Sequence, residues 1–415
     1  MNLHSFTLMK TILPLLTALI LLPLSARAVK ISYAYDAAGR MTAVNYDGAS
    51  RTAYGYDKNG SLLSRVSTVT PALTPPPHLA ATFSGLITNA SPGAANTGVI
   101  TLKLLANGAY SGKLTVGAVT VSFAGSFAAD GGTAVIPITG KPPLTSLDIT
   151  LDVLGAVPRI TGTLSGTGFN SEVAMEAVLY NSKTFPLPAG LVGAYTAVFL
   201  PTENTAGIPQ GDGYATVTVK NTGAVSLAGK LADNSKLTHG SLIHGVNVWQ
   251  LYIPMHKNAG FLSGRVLFAP DPGYSDFGGF ISWVKPLTAG LHSGEFVTGV
   301  DIVGARYRPP LKDQRALGLM NSAPNAVFAA SGGGLVTDPF TRNVTLDTKN
   351  KFVIPVDAGA LKLTLMPGTG LFTGSFKDGA ATRAVGGVIL QTLNSGSGFF
   401  PGATESGLVE LTPAP

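Results

Sequence analysis

Cysteine is absent from the 415 residues, which excludes disulfide staples, thiolate metal sites, cysteine nucleophiles and a lipid anchor on an N-terminal cysteine. Charge is scarce at 12%, and the 28 basic side chains form no run of Lys or Arg, so no nucleic-acid partner is expected. Beyond the N-terminus no apolar stretch approaches the roughly 20 residues that a spanning helix needs, so the mature chain should hold no transmembrane helix. G-x-S-x-G, H-E-x-x-H, Walker and EF-hand patterns are all missing. No residue is therefore assigned a catalytic, cofactor-binding or metal-binding role, no cofactor is expected, and an enzyme is the less favoured reading.

What the chain has is glycine, 51 residues, with 28 prolines and 45% hydrophobic residues, a balance that suits short strands and many turns. An all-β fold follows. Residues 1–28 open with His4 and Lys10, continue through an apolar run from Ile12 to Leu24 and end on Ala26-Arg27-Ala28. This is the three-part pattern of a secretory signal peptide with cleavage after Ala28, and the alternative is an uncleaved anchor. Export to the periplasm, the cell surface or the medium is expected.

The body is organised around a duplicated hairpin. Residues 98–114, GVITLKLLANGAYSGKL, and residues 213–231, GYATVTVKNTGAVSLAGKL, share an opening Gly, an alternating run, a turn at Gly108 or Gly223 and a closing Gly-Lys-Leu. Alternation puts one side-chain set into a core. A short motif of apolar residue, small residue and Gly recurs at Gly85, Gly112, Gly125, Gly162, Gly229, Gly264 and Gly374, where each glycine would let a strand coil sharply enough to close a barrel. Over Leu147 to Val153 the alternation is unbroken, so Asp148 and Asp152 should face water.

Near the mature N-terminus stand Tyr33, Tyr35, Asp36, Gly39 and Arg40, then Tyr46 and Asp47, then Tyr54, Tyr56, Asp57 and Gly60. Tyrosines two apart share a strand face, an Asp accepts turn N–H groups, and a Gly takes the left-handed position. Residues 29–67 thus resemble the YD repeat of the Rhs family, whose long arrays wind into hollow β-shells. About one and a half units are too few to enclose anything, so the resemblance implies a β-hairpin and an association with the bacterial cell surface or exterior. The strings GAYT from Gly193, GYATVTV, GKLAD, WQLYIP, GFLSG, ISWVKP, GLFTGSF, VGGVIL and GFF, spread from about 190 to 412 with a weaker copy before them, resemble a β-repeat of exported, uncharacterised bacterial proteins. That likeness implies location and fold and carries no catalytic residue.

The expected organisation is a signal peptide (1–28), a YD hairpin (29–68), a Pro-rich linker (69–78), a first barrel-like or sandwich-like antiparallel unit (79–188) and a larger second one (189–415). Trp249, Tyr252 and Trp283 are a candidate sugar-stacking platform if exposed. His239, His244 and His256 match no familiar metal spacing. Asp212, Asp271 and Asp276 sit in loops that could hold calcium, and residues 305–325 carry the densest basic stretch. The function indicated is a non-catalytic structural, adhesion or ligand-binding role, with a glycan, an envelope polymer or another surface protein as partner. Two alternatives stand: a carbohydrate-binding or carbohydrate-active exported protein, and an outer-membrane-associated β-barrel.

Overall fold

The computed structural model describes residues 31–36, 38–46, 50–57, 59–69, 80–127, 132–153, 157–245, 247–356 and 359–415. The signal segment, Asp47, the Tyr46 side chain and all but the first residue of the Pro-rich linker lie outside what is described. Contacts divide the chain into two compact units, Met1–Thr74 and Pro75–Pro415.

The first unit is a four-stranded antiparallel meander and not the single hairpin expected: β1 (Ile31–Tyr35), β2 (Met41–Tyr46), β3 (Ser50–Tyr56) and β4 (Leu62–Val69). Two of its turns share one construction. Asp36 Oδ1 accepts from the N–H groups of Ala38 and Arg40 at 3.0 and 2.9 Å, and Asp57 Oδ1 accepts from those of Asn59 and Ser61 at 2.9 and 2.8 Å. Gly39 and Gly60 take φ of 77° and 88°, which a side chain would disfavour. Arg40 pairs with Asp36 at 2.8 Å and lies over the Tyr56 ring, whose hydroxyl donates to Met41 O, while Tyr33 and Tyr35 are exposed.

The second unit contains three eight-stranded antiparallel bodies, so the region read as one larger unit, 189–415, is two. The first comprises β5 (Ala81–Thr88), β6 (Gly98–Leu104), β7 (Ala109–Val116), β8 (Val119–Ser126), β9 (Thr133–Pro137), β10 (Leu144–Asp152), β11 (Arg159–Gly166) and β12 (Phe169–Ala177). The second comprises β13 (Gly193–Pro201), β14 (Gly213–Val219), β15 (Ala224–Lys230), β16 (Lys236–His244), β17 (Val248–Met255), β18 (Gly260–Leu267), β19 (Phe277–Lys285) and β20 (Phe296–Arg306). The third comprises β21 (Ala326–Gly332), β22 (Phe340–Leu346), β23 (Phe352–Val353), β24 (Lys362–Met366), β25 (Leu371–Asp378), β26 (Ala381–Leu390), β27 (Ser395–Pro401) and β28 (Ser406–Pro413).

One plan recurs. In each body the first strand pairs with the last: β5 with β12, β13 with β20, β21 with β28. The middle body is a closed barrel, whereas the first is open between β8 and β9 and the third between β23 and β24. The duplicated hairpin is β6–β7 in the first body and β14–β15 in the second, the second and third strands of each meander. Leu147, Ile149 and Leu151 are buried and Asp152 is exposed, as the alternation requires, but Asp148 is half-buried and its Oδ1 is shielded with no hydrogen-bond partner among the described residues, so it does not face water as expected.

Mid-strand glycines allow the tight curvature. A Cβ on Gly162 would lie 1.9 Å from Asp148 O, and one on Gly229 would lie 2.0 Å from Tyr214 O, so in both places the neighbouring strand runs where a side chain would stand. Gly229→Ala is therefore expected to lower stability by about 1–3 kcal/mol, read as a shift of the denaturant midpoint. An unshifted midpoint would mean that the close approach is not needed.

The closed barrel is filled. Trp249, Leu251 and Ile253 of β17 join Tyr195, Phe268, Phe277 and Trp283 in one apolar core. Its open outward positions are mixed, with Thr218, Ser226, Lys236, Thr238, Arg265 and Asp301 beside the exposed apolar Leu267, Phe280 and Val297. A transmembrane barrel has an unbroken apolar band outside and a polar interior, and this cylinder has neither. Among the described residues no helix is long and apolar enough to cross a membrane, which says nothing about strands.

The bodies also pack on one another. Outward-facing Val198 and Tyr214 of the barrel join Val388, Leu390 and Phe399 of the third body, and buried Thr196 donates to Ile389 O at 2.6 Å. On β17–β19, outward Tyr252, Phe261 and Val284 meet Leu86 and Val99 of the first body.

Candidate functional site

The contact between the first body and the closed barrel does not seal completely. A cavity of about 450 Å³ remains, walled by β5 and β6 on one side and by β16 and β17 on the other. Its apolar surface comes from Leu86, Val99, Ile100, Leu242, Tyr252 and Pro254, and its polar groups from Ser84, Thr101, Thr115, His239, Ser241, Gln250 and Asn258. None of these carries a formal charge at neutral pH, because burial holds the His239 imidazole below its usual range. Burial also pushes the Tyr252 phenol up to about 12, so it stays protonated.

Gln250 is the group left unanswered. It is 7% exposed, and its Oε1 is buried without a hydrogen-bond partner among the described residues. A buried amide oxygen with nothing to accept from costs roughly 1–3 kcal/mol, a cost that a bound donor would remove.

Beside the cavity a serine and a histidine meet. His244 Nε2 lies 2.9 Å from Ser84 Oγ, and Glu176 stands opposite Ser84 in the β5–β12 ladder. A serine nucleophile needs its histidine oriented by a third group. Here His244 Nδ1 has no hydrogen-bond partner among the described residues, and Glu176 instead accepts from Arg265 of the barrel at 3.0 Å. Burial pushes the His244 ring down to about 4, far too weak a base for neutral pH. The Ser84–His244 and Glu176–Arg265 contacts tie the two bodies together.

The residues singled out from sequence are placed elsewhere. Trp249 and Trp283 are 0% and 2% exposed inside the barrel, so a sugar-stacking platform on them is excluded. Tyr252 reaches the cavity, but its ring is 5% exposed and stacked on Phe261 at 5.5 Å, leaving no free face. Of the three histidines only His239 lines the cavity. Asp276 accepts from Arg306 N at 2.7 Å and from Thr392 Oγ1 at 3.0 Å, and Asp212 is bonded to Ser397 Oγ with its carboxyl pushed up to about 7 by burial. Among the described residues no three His, Asp or Glu side chains are grouped to hold a metal ion. Arg306 donates to the carbonyls of Gly190 and Val192 and covers the Tyr195 ring, and Arg315 donates to Leu346 O, so these two arginines serve local structure, while Arg308 and Lys312 are exposed.

Ser84, Thr101 and Gln250 were not singled out from sequence. The one local hint was β17, VWQLYIPM, whose unbroken burial from Trp249 to Ile253 marks a strand covered on both faces.

No family model matches this chain, and no curated protein matches it. Among solved structures it is similar to a protein of unknown function of the DUF3598 family from Nostoc punctiforme, at 12% identity over 55% of this chain and 96% of that one, with a TM-score of 0.16. It is also similar to isotype 1 transferrin-binding protein B from serogroup B Neisseria meningitidis, at 10% identity over 93% of this chain and 85% of that one, with a TM-score of 0.21. At such scores neither likeness bears on what this chain does.

Proposed function

We propose that this chain is an exported, non-catalytic binding protein of the bacterial cell surface or exterior, and that its ligand seats in the cavity between the first body and the closed barrel. The observation that carries the reading is Gln250, a buried amide with an unpartnered oxygen lining an uncharged cavity of about 450 Å³. That size falls in the range of small-ligand sites. An ion entering it would lose hydration with no opposite charge to replace it, so the ligand is neutral. Export is supported by the signal-like residues 1–28, and attachment to the cell exterior by the YD-like motif. The absence of an oriented base beside Ser84 supports a binding role over a hydrolytic one.

Thr101→Trp tests the seat. Thr101 is exposed on β6 and lines the cavity, so an indole there occludes the space with little effect on the fold. A screen of neutral oligosaccharides and uncharged peptides against the exported chain should find a ligand whose binding Thr101→Trp weakens at least about tenfold at an unchanged melting temperature. Binding that survives the substitution would place the ligand elsewhere.

A further inference from the structure

The barrel wall beside the cavity is split. β16 pairs with β15 from Lys236 to Leu242, and β17 pairs with β18 from Val248 to Met255. Yet β16 and β17 pair with each other only at Ile243↔Trp249 and His244↔Val248. Every other pair of neighbours in the ring shares at least five residue pairs. Beyond the two shared pairs the strands diverge as a V. The edge of residues 236–242 that faces β17, and the edge of residues 250–255 that faces β16, have no ladder partner among the described residues. Ser241 Oγ reaches across near the apex to Gln250 O at 3.3 Å.

The cavity occupies this V, with His239, Gly240, Ser241 and Leu242 on one arm and Gln250, Tyr252 and Pro254 on the other. A free strand edge offers alternating N–H and C=O groups, a template for another strand. Residues 238–242 present roughly 16 Å of such edge at 3.3 Å per residue. The Gln250 carboxamide offers the same donor and acceptor as a peptide unit, and its oxygen awaits an N–H. A sugar fits this lining less well, because the one aromatic ring present, Tyr252, is already stacked on Phe261.

We propose that the V between β16 and β17 receives an extended, uncharged polypeptide segment of a partner protein, which adds as a strand to the free edges and donates an amide N–H to Gln250 Oε1. This deepens the cavity reading above and rests on it. Small or β-branched apolar side chains of the segment would lie against Leu86, Val99 and Leu242, and acidic or basic ones would be refused.

The test uses the exported chain and a capped hexapeptide of alternating threonine and valine, with the same peptide N-methylated at every second residue as control. Methylation keeps the side chains and removes the donors that strand pairing needs. The unmodified peptide at millimolar concentration should slow amide exchange within residues 236–242 and 250–255, the methylated one should not, and Gln250→Leu should weaken binding about tenfold. Equal binding of both peptides, or protection confined to other strands, overturns the proposal. Protection of these edges by chitobiose or maltotetraose, with none from the peptide, overturns the strand reading while leaving the cavity as the seat. Protection by no probe removes both.

Discussion

Replacing Trp249 by alanine is expected to destabilise the fold by about 3–5 kcal/mol, the range for truncating a large buried aromatic. The side chain is fully buried in the barrel, 6.4 Å from the Phe268 ring and edge-on to Phe277 at 6.2 Å, and the surrounding strands are held by their own ladders and cannot collapse into the vacated space. Trp249→Phe should cost far less, within about 1.5 kcal/mol, because the indole Nε1 is buried without a partner among the described residues and its removal relieves that cost. Denaturant titration followed by far-ultraviolet circular dichroism distinguishes the two. Equal losses for the two variants would mean that the indole N–H holds a bond that the packing does not reveal.

Acid should loosen the junction between the first body and the barrel through His244. Burial takes this ring from the usual 6.5 down to about 4, so the folded chain keeps it neutral while the unfolded chain takes up the proton. Between those values the unfolded state binds more protons, so the contribution is whole above pH 6.5 and is lost as pH falls towards 4. The total loss is about 3 kcal/mol at 1.36 kcal/mol per unit. His239, His256 and His292 are depressed by burial as well, so the wild-type slope alone is not diagnostic. The difference between wild type and His244→Gln is: the variant should lose markedly less stability between pH 6.5 and 4. Parallel curves would show that the His244 ring is not held neutral by the junction.

Much of the fold could be read from local pattern, because strand alternation and turn glycines are local properties. The hairpins at Gly98 and Gly213 were recognisable as copies, and they occupy equivalent strands in two bodies. The third body escaped notice for a physical reason: its corresponding hairpin joins β22 to a β23 of only two residues, too short to carry the alternating signature. Burial of the tryptophans was also open to inference, since Trp249, Leu251 and Ile253 share one face at a period of two. The cavity was not. Ser84 and His244, which meet beside it, are 160 positions apart, and a contact between two separate bodies leaves no mark on either stretch of sequence.

Pairing the first strand of each body with its last constrains how the chain matures. Ala81 at the head of β5 is far from its β12 neighbours, which end at Ala177, so the body cannot be completed until that whole length of chain is available. A chain threaded outwards from its N-terminus would finish the three bodies in succession, each waiting on its eighth strand. Such long-range closure is slow compared with local pairing. During each wait the leading strand stands with an uncovered edge, and neighbouring chains emerging at the same time would compete for it.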